Sequence, residues 1–243
     1  LGIESIDKFV ASIMAKKIAQ GVNNVVFDIP IGPGAKISTD EQYQEVDESF
    51  RRIASHFGIK VALHKRHVNS IDGHAVGPAL ECIEFLRVYE NDSIAREREL
   101  EEDAISIAGD LIAMVKKISK EDADKMASGF LNSGAAEKKL RAIIKEQGGV
   151  ENISSNDIEI GALQYEYKAD RDGVISGIDN KSVFDVCRAL GNPFIKEAGL
   201  YFHKFPDQTV KTGDRIFTVF ATNQNRLDTA VKIVSKQSIV TYK

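Results

Sequence analysis

Cysteine is nearly missing from this chain: Cys82 and Cys187 are the two in 243 residues, far apart and neither in a Cys-x-x-Cys pair. That count excludes a disulfide framework and a zinc knuckle, and each thiol is expected to serve as a small buried apolar residue. Histidine is scarce too, with five residues. The stretch His64-Lys65-Arg66-His67 holds two potential ligands, but its own cations oppose a metal ion and no third ligand follows at suitable spacing. Both histidines are therefore expected in a solvated loop, and no metal or other cofactor is expected. No run approaches the roughly 20 apolar residues that span a bilayer, and no charged-then-apolar leader opens the chain, so the default location is the cytoplasm, with no membrane partner. Neither charge sign dominates: 32 Lys and Arg stand against 36 Asp and Glu, interspersed, for a net charge of -4. Without a basic stripe, a nucleic-acid partner is not expected.

What is present is patterned for a globular α/β protein. At 43% hydrophobic residues, the chain can bury a sizeable core as one or two domains. Ser5 or Asp7 caps a helix that runs to about Gln20, and 25–28 is a short β-branched strand. Thr39-Asp40 starts a helix whose Tyr43, Val46, Phe50, Ile53 and Phe57 recur at helical spacing until Gly58, and a second strand follows over 59–63. Pro78 opens a helix with Ala79, Cys82, Ile83, Leu86 and Tyr89 on one face; a longer one follows Asp92, and two more follow Ser119 and Ser133-Gly134. These apolar stripes read as core. The order predicts a mixed or parallel sheet flanked by helices over 1–158. After Gly148-Gly149 and a polar linker, short alternating runs such as Leu163-Gln164-Tyr165-Glu166-Tyr167 and Ile216-Phe217-Thr218-Val219-Phe220 predict a smaller α+β domain over 159–243, with helices near 182–189 and 224–234.

The stretch Asp28-Ile29-Pro30-Ile31-Gly32-Pro33-Gly34-Ala35-Lys36 ends the first strand. Two glycines one residue apart let the backbone approach a bound molecule, and Lys36 places a cation at that mouth. The same spacing also suits an ordinary tight turn. Asp28, at the carboxyl end of the strand, sits where open α/β sheets place ligands, and could equally hydrogen-bond the loop's own amides.

Taken in order, Ala11-Ser12-Ile13-Met14-Ala15-Lys16-Lys17-Ile18-Ala19, then 28–36, then Gly73-His74-Ala75-Val76-Gly77-Pro78-Ala79-Leu80-Glu81 resemble the successive signatures of the pyrimidine-nucleoside and nucleotide phosphorylase family. The resemblance runs from near Leu1 to about 235. Pro30 and Lys36 resemble the archaeal nucleotide branch, whereas thymidine phosphorylases carry Lys and Phe there. Pro33 and Ile31 depart from that branch, which tends to carry Arg and Thr, and both changes remove polar groups from the loop.

The resemblance implies phosphorolysis of a nucleoside 5′-monophosphate, AMP first with CMP and UMP as further candidates, giving free base and ribose 1,5-bisphosphate. Phosphate is the co-substrate and no cofactor is needed. Such chemistry needs an acid to protonate the departing base while phosphate attacks a cation-like sugar carbon. The family's proton donor, an Asp eight residues before the Ser of the first motif, matches Glu4, one methylene longer. A solvated first-turn Glu is the alternative. Ser12 and Lys36 match positions that bind the nucleotide, and Lys16, one turn beyond Ser12, matches a Lys that the thymidine enzymes use; it could also be an ordinary surface lysine. The resemblance further implies a homo-oligomer. It also implies an upstream helical domain and phosphate loop, so the chain reads as a carboxy-terminal portion, inactive in isolation.

Two alternatives stand beside this reading. One is a thymidine or pyrimidine-nucleoside phosphorylase. The other is a non-enzymatic carrier or binding module, because Gln208-Thr209-Val210-Lys211-Thr212-Gly213-Asp214-Arg215 resembles the turn of biotinyl and lipoyl carriers; Lys204, between His203 and Phe205, would have to bear the attached group. The Gly213-Asp214 turn also has a plain structural use in joining two strands.

Overall fold

A computed structural model describes residues 5–92 and 100–243. In chain order the elements are α1 (Ile6–Ala19), β1 (Asn24–Ile31), α2 (Asp40–His56), β2 (Lys60–His67), β3 (Ala75–Val76), α3 (Pro78–Tyr89), α4 (Leu100–Lys116), α5 (Lys120–Asn132) and α6 (Ala135–Glu146). They continue with β4 (Leu163–Lys168), β5 (Gly173–Ile178), α7 (Asn180–Leu190), β6 (Gly199–Phe202), β7 (Thr209–Val210), β8 (Arg215–Ala221), α8 (Gln224–Val234) and β9 (Val240–Tyr242). They form two compact units. The first takes in the chain up to Val68 with Glu102–Ser133, and the second the described residues from Asn69 to Glu101 with Gly134–Lys243.

In the first unit β1 and β2 are parallel, in register from Asn24↔Lys60 to Ile31↔His67, with α2 as the crossover between them. Strand side chains alternate between faces, and here the alternation separates two chemistries. Val25, Phe27, Ile29 and Ile31 of β1 and Val61 and Leu63 of β2 join Val10 and Met14 of α1 and Val46, Phe50 and Ala54 of α2 in one core. Phe27 stacks on Phe50 with ring centroids 4.2 Å apart. The even positions of the same strands carry Asp28, His64 and Arg66, and these meet charged groups of α4.

That second face corrects the expectation for His64 and His67. Pairing with β1 carries β2 through His67, four residues past the predicted end, so neither histidine lies in a loop. His64 is 16% exposed and its Nδ1 lies 2.6 Å from Asp110 Oδ2, while His67 at the strand end stays exposed. The apolar run ends at Leu63 because the face turns polar there, and the strand itself continues.

The second unit is built from antiparallel strands, as an α+β domain should be: a four-stranded sheet in the order β3-β6-β8-β4 and a three-stranded one in the order β7-β5-β9. Among the described residues they do not close into a barrel. The expected fold class holds, a parallel α/β unit and an α+β unit. The core gathers Leu200 and Phe202 of β6, Ile216, Phe217 and Val219 of β8, Ile175 of β5, and Val186 and Leu190 of α7, all fully buried. Asp179 caps α7 by accepting from Ser182 N, and Gly191 ends it in the left-handed region at φ 104°. Lys204 is half-buried, its amide donating to Ile216 O, and so is not a free hairpin tip.

Between β2 and α3 lies β3, whose Ala75 and Val76 pair with Tyr201 and Leu200 of β6. A two-residue strand is too short to display a period. It is fixed by Glu84 of α3, which is 5% exposed and accepts from His74 N at 2.6 Å and Ala75 N at 3.0 Å. Pro78 starts α3 as expected. Cys82, however, is exposed, because the buried arc of α3 runs through Ala79, Ile83 and Leu86 and leaves Cys82 on the outer side. Cys187 is buried as expected, and burial pushes its thiol up to about 12.

Candidate functional site

The glycine loop after β1 is a closed turn. Ile31 and Ile37, 3% and 4% exposed, anchor its two ends in the core and bridge to each other, and Gly32 N donates to Ile37 O at 3.1 Å. Between them Ala35 N donates to Gly32 O, and Gly34 takes φ 79°, a conformation that glycine adopts without strain. Gly32 is required for space: a Cβ there would stand 1.9 Å from Val68 O at the end of β2. Beyond the loop, Gln42 accepts from Ser38 N and Thr39 caps α2 by accepting from Gln42 N. Both glycines thus have structural work, and Lys36 projects from a frame fixed on either side.

Lys36 reaches toward α1. Its Nζ lies 4.5 Å from the centroid of the Phe9 ring. On α1, Phe9, Ser12 and Lys16 stand at i, i+3 and i+7 and so share one helix face, and Val10 and Met14, both fully buried, fix that helix to the core. Ser12 and Lys16 are exposed. Ser12 and Lys16 therefore lie on the side of α1 that carries Phe9, the ring that the Lys36 ammonium reaches. This face can receive an anion or an electron-rich base. Glu4, the predicted proton donor, lies outside the described residues.

Asp28 has a different partner from the one read in the sequence. Its carboxylate accepts from Arg66 Nη2 at 2.9 Å and Nε at 3.3 Å, and Arg66 Nη1 also donates to Asp103 of α4 at 2.8 Å. With Arg66 15% exposed, the fork ties β1, β2 and α4 together beneath the loop. Further along α4, Asp110 meets both His64 and Lys120, and Lys120 also holds Asp124. On the opposite face of β2, Lys65 bonds Asp40 at 2.7 Å and holds that carboxyl below its usual range.

Phe9 and Arg66 were not singled out by the sequence. Phe9 could have been found as the residue one turn before Ser12, and Arg66 as the position level with Pro30 on the same parallel ladder.

Residues 174–241 match the pyrimidine nucleoside phosphorylase C-terminal domain. Over 231 residues, 95% of this chain, the sequence is 36% identical to the AMP phosphorylase of Methanosarcina mazei, covering 45% of that protein. It is 37% identical over 221 residues to the AMP phosphorylase of Pyrococcus abyssi and 35% identical over 234 residues to that of Thermofilum pendens, covering 44% of each. The chain spans less than half the length of these relatives. It is similar over 174–241 to the pyrimidine nucleoside phosphorylase C-terminal domain and, across nearly its whole length, to the carboxy-terminal part of archaeal AMP phosphorylases.

Proposed function

We propose that this chain is part of a pentosyltransferase that splits a nucleoside 5′-monophosphate, AMP first, with phosphate. The observation that carries the reading is the placement of Lys36 over the face of α1 that bears Ser12 and Lys16, in a chain similar to AMP phosphorylases. In the reaction an oxygen of phosphate forms a bond to C1′ of the ribose while the bond from C1′ to the base nitrogen breaks. The electron pair leaves with the base, and the Glu4 carboxyl supplies the proton that neutralises it, giving free base and ribose 1,5-bisphosphate. Ser12 and Lys16 hold the base edge, and Lys36 supplies positive charge to the electron-rich nucleotide. Phosphate is the co-substrate, and no cofactor or metal takes part. The working form is a cytoplasmic homo-oligomer of the full-length protein, with no nucleic-acid or membrane partner, and the chain by itself lacks activity. Among the described residues no helix is long and apolar enough to cross a membrane.

A second reading, a pyrimidine-nucleoside phosphorylase, is favoured by the domain matched over 174–241. Chromatography of base release separates the two. The full-length protein, incubated with phosphate and AMP, CMP, UMP or thymidine in turn, is expected to release adenine from AMP only when phosphate is present. Thymine from thymidine alone would select the second reading. Silence on every substrate would overturn both.

A further inference from the structure

We infer that Asp7 is a positioning residue for the nucleotide face of α1: through Ser49 and Arg52 of α2 it fixes how that helix is set, and so where Ser12 and Lys16 stand. The three side chains close a triangle. Ser49 Oγ donates to Asp7 Oδ1 at 2.9 Å, and Arg52 Nη2 donates to the same oxygen at 3.0 Å and to Ser49 Oγ at 3.2 Å. Ser49 is the polar member of an apolar seam: it is 3% exposed, beside Val46 and Phe50 of α2, which share a core with Val10 and Met14 of α1. Apolar packing has no preferred direction, so Val10 and Met14 decide which side of α1 faces inward but restrain its small rotations and slides only weakly. A buried hydroxyl must keep its partner, which ties the two helices to the one setting that makes its hydrogen bonds. Asp7, in the first turn of α1, is that partner. The Asp7 and Arg52 side chains are both exposed, so their ion pair stabilises little by itself and the triangle acts on direction more than on stability. Because α1 is one continuous helix from Ile6 to Ala19, a shift at Asp7 is carried to Ser12 and Lys16. The role rests on the nucleotide reading of those two residues.

Two measurements on the full-length protein test the inference. The first needs no activity: backbone amide exchange over Ile6–Val10 should speed up in Asp7→Ala and in Ser49→Ala, and stay slow in Asp7→Asn, whose side-chain oxygen still accepts from Ser49 and Arg52. Equal exchange in all four proteins would overturn the clamp.

The second is a mutant cycle on AMP phosphorolysis. Asp7→Ala is expected to raise KM for AMP about three- to tenfold, a fraction of the roughly 100-fold that a 1 Å misplacement can cost, with kcat nearly unchanged. Asp7→Asn should recover most of that KM. On a background carrying Ser12→Ala and Lys16→Ala together, Asp7→Ala should add nothing. If it costs as much there as in the unaltered protein, Asp7 acts on folding in general and the positioning role is overturned. Turnover of AMP with an unmoved KM in Asp7→Ala would overturn the positioning role alone, whereas inactivity of the unaltered protein on every nucleotide would overturn the phosphorylase reading and this role with it.

Discussion

The two units of this molecule use their strands differently. In the second unit β8 is buried at Ile216, Phe217, Thr218 and Val219 in succession, so both of its faces contribute to packing. In the first, β1 and β2 bury one face in an apolar core and give the other to Asp28, Arg66 and His64 and their partners on α4. A strand buried on both faces can only hold a fold together. A strand that divides its faces can hold a fold on one side and organise charge on the other. The predicted substrate residues Ser12, Lys16 and Lys36 all belong to the unit that divides its strands.

The contrast can be broken most forcefully at the core. Phe217→Ala removes a fully buried ring of the second unit that stacks on Tyr167 at 4.8 Å, and should cost about 3–5 kcal/mol in denaturant unfolding. A loss below about 1 kcal/mol would mean that this core is loosely packed. In the first unit, Gly32→Ala forces a methyl group into Val68 O and should cost about 1–3 kcal/mol while displacing Lys36 from Phe9. An unchanged melting temperature would show that the loop can open freely.

Arg66→Met probes the charged face. It leaves Asp28 and Asp103, 28% and 26% exposed, without their shared guanidinium, for an expected cost of about 1–3 kcal/mol.

Histidine gives a pH signature to the second unit. Burial, with Arg215 and His74 adding to it, lowers the His203 pKa from 6.5 to about 4, and its Nε2 lies 2.9 Å from Thr218 Oγ1. The unfolded chain takes up that proton more readily than the folded one, so the stability tied to neutral His203 is whole above 6.5 and is lost as pH falls from 6.5 toward 4. Unfolding followed across that window should flatten in His203→Gln; equal pH slopes in the two proteins would contradict the assignment. The smallest expected effect concerns the thiols. Exposed Cys82 should be alkylated in the native protein, and buried Cys187, raised to about 12, only after unfolding.

How much could be read from the residues follows the same division. Where burial repeats at a regular period, the sequence announced it: α2 begins at Asp40 after the Thr39 cap, and α8 spans Gln224–Val234 as expected. The apolar half of β2 was legible and its polar half was not, because a run that ends at Leu63 looks like a strand that ends there. Cys82 was misplaced because helical spacing gives the direction of a stripe but not its width. Ser12 was singled out only through motif resemblance, whereas Lys36 was singled out by its place beside the glycine loop as well. Phe9 and Arg66 meet spatial neighbours from other elements, which no local pattern displays.

The most direct test of the account is phosphorolysis of AMP by the full-length protein and its Lys36→Ala variant, with melting temperatures taken alongside. Loss of an exposed lysine proposed to meet substrate charge should lower kcat/KM on the order of tenfold or more and leave the melting temperature in place. Equal kcat/KM in the two proteins would contradict the placement of the nucleotide site on this loop and α1.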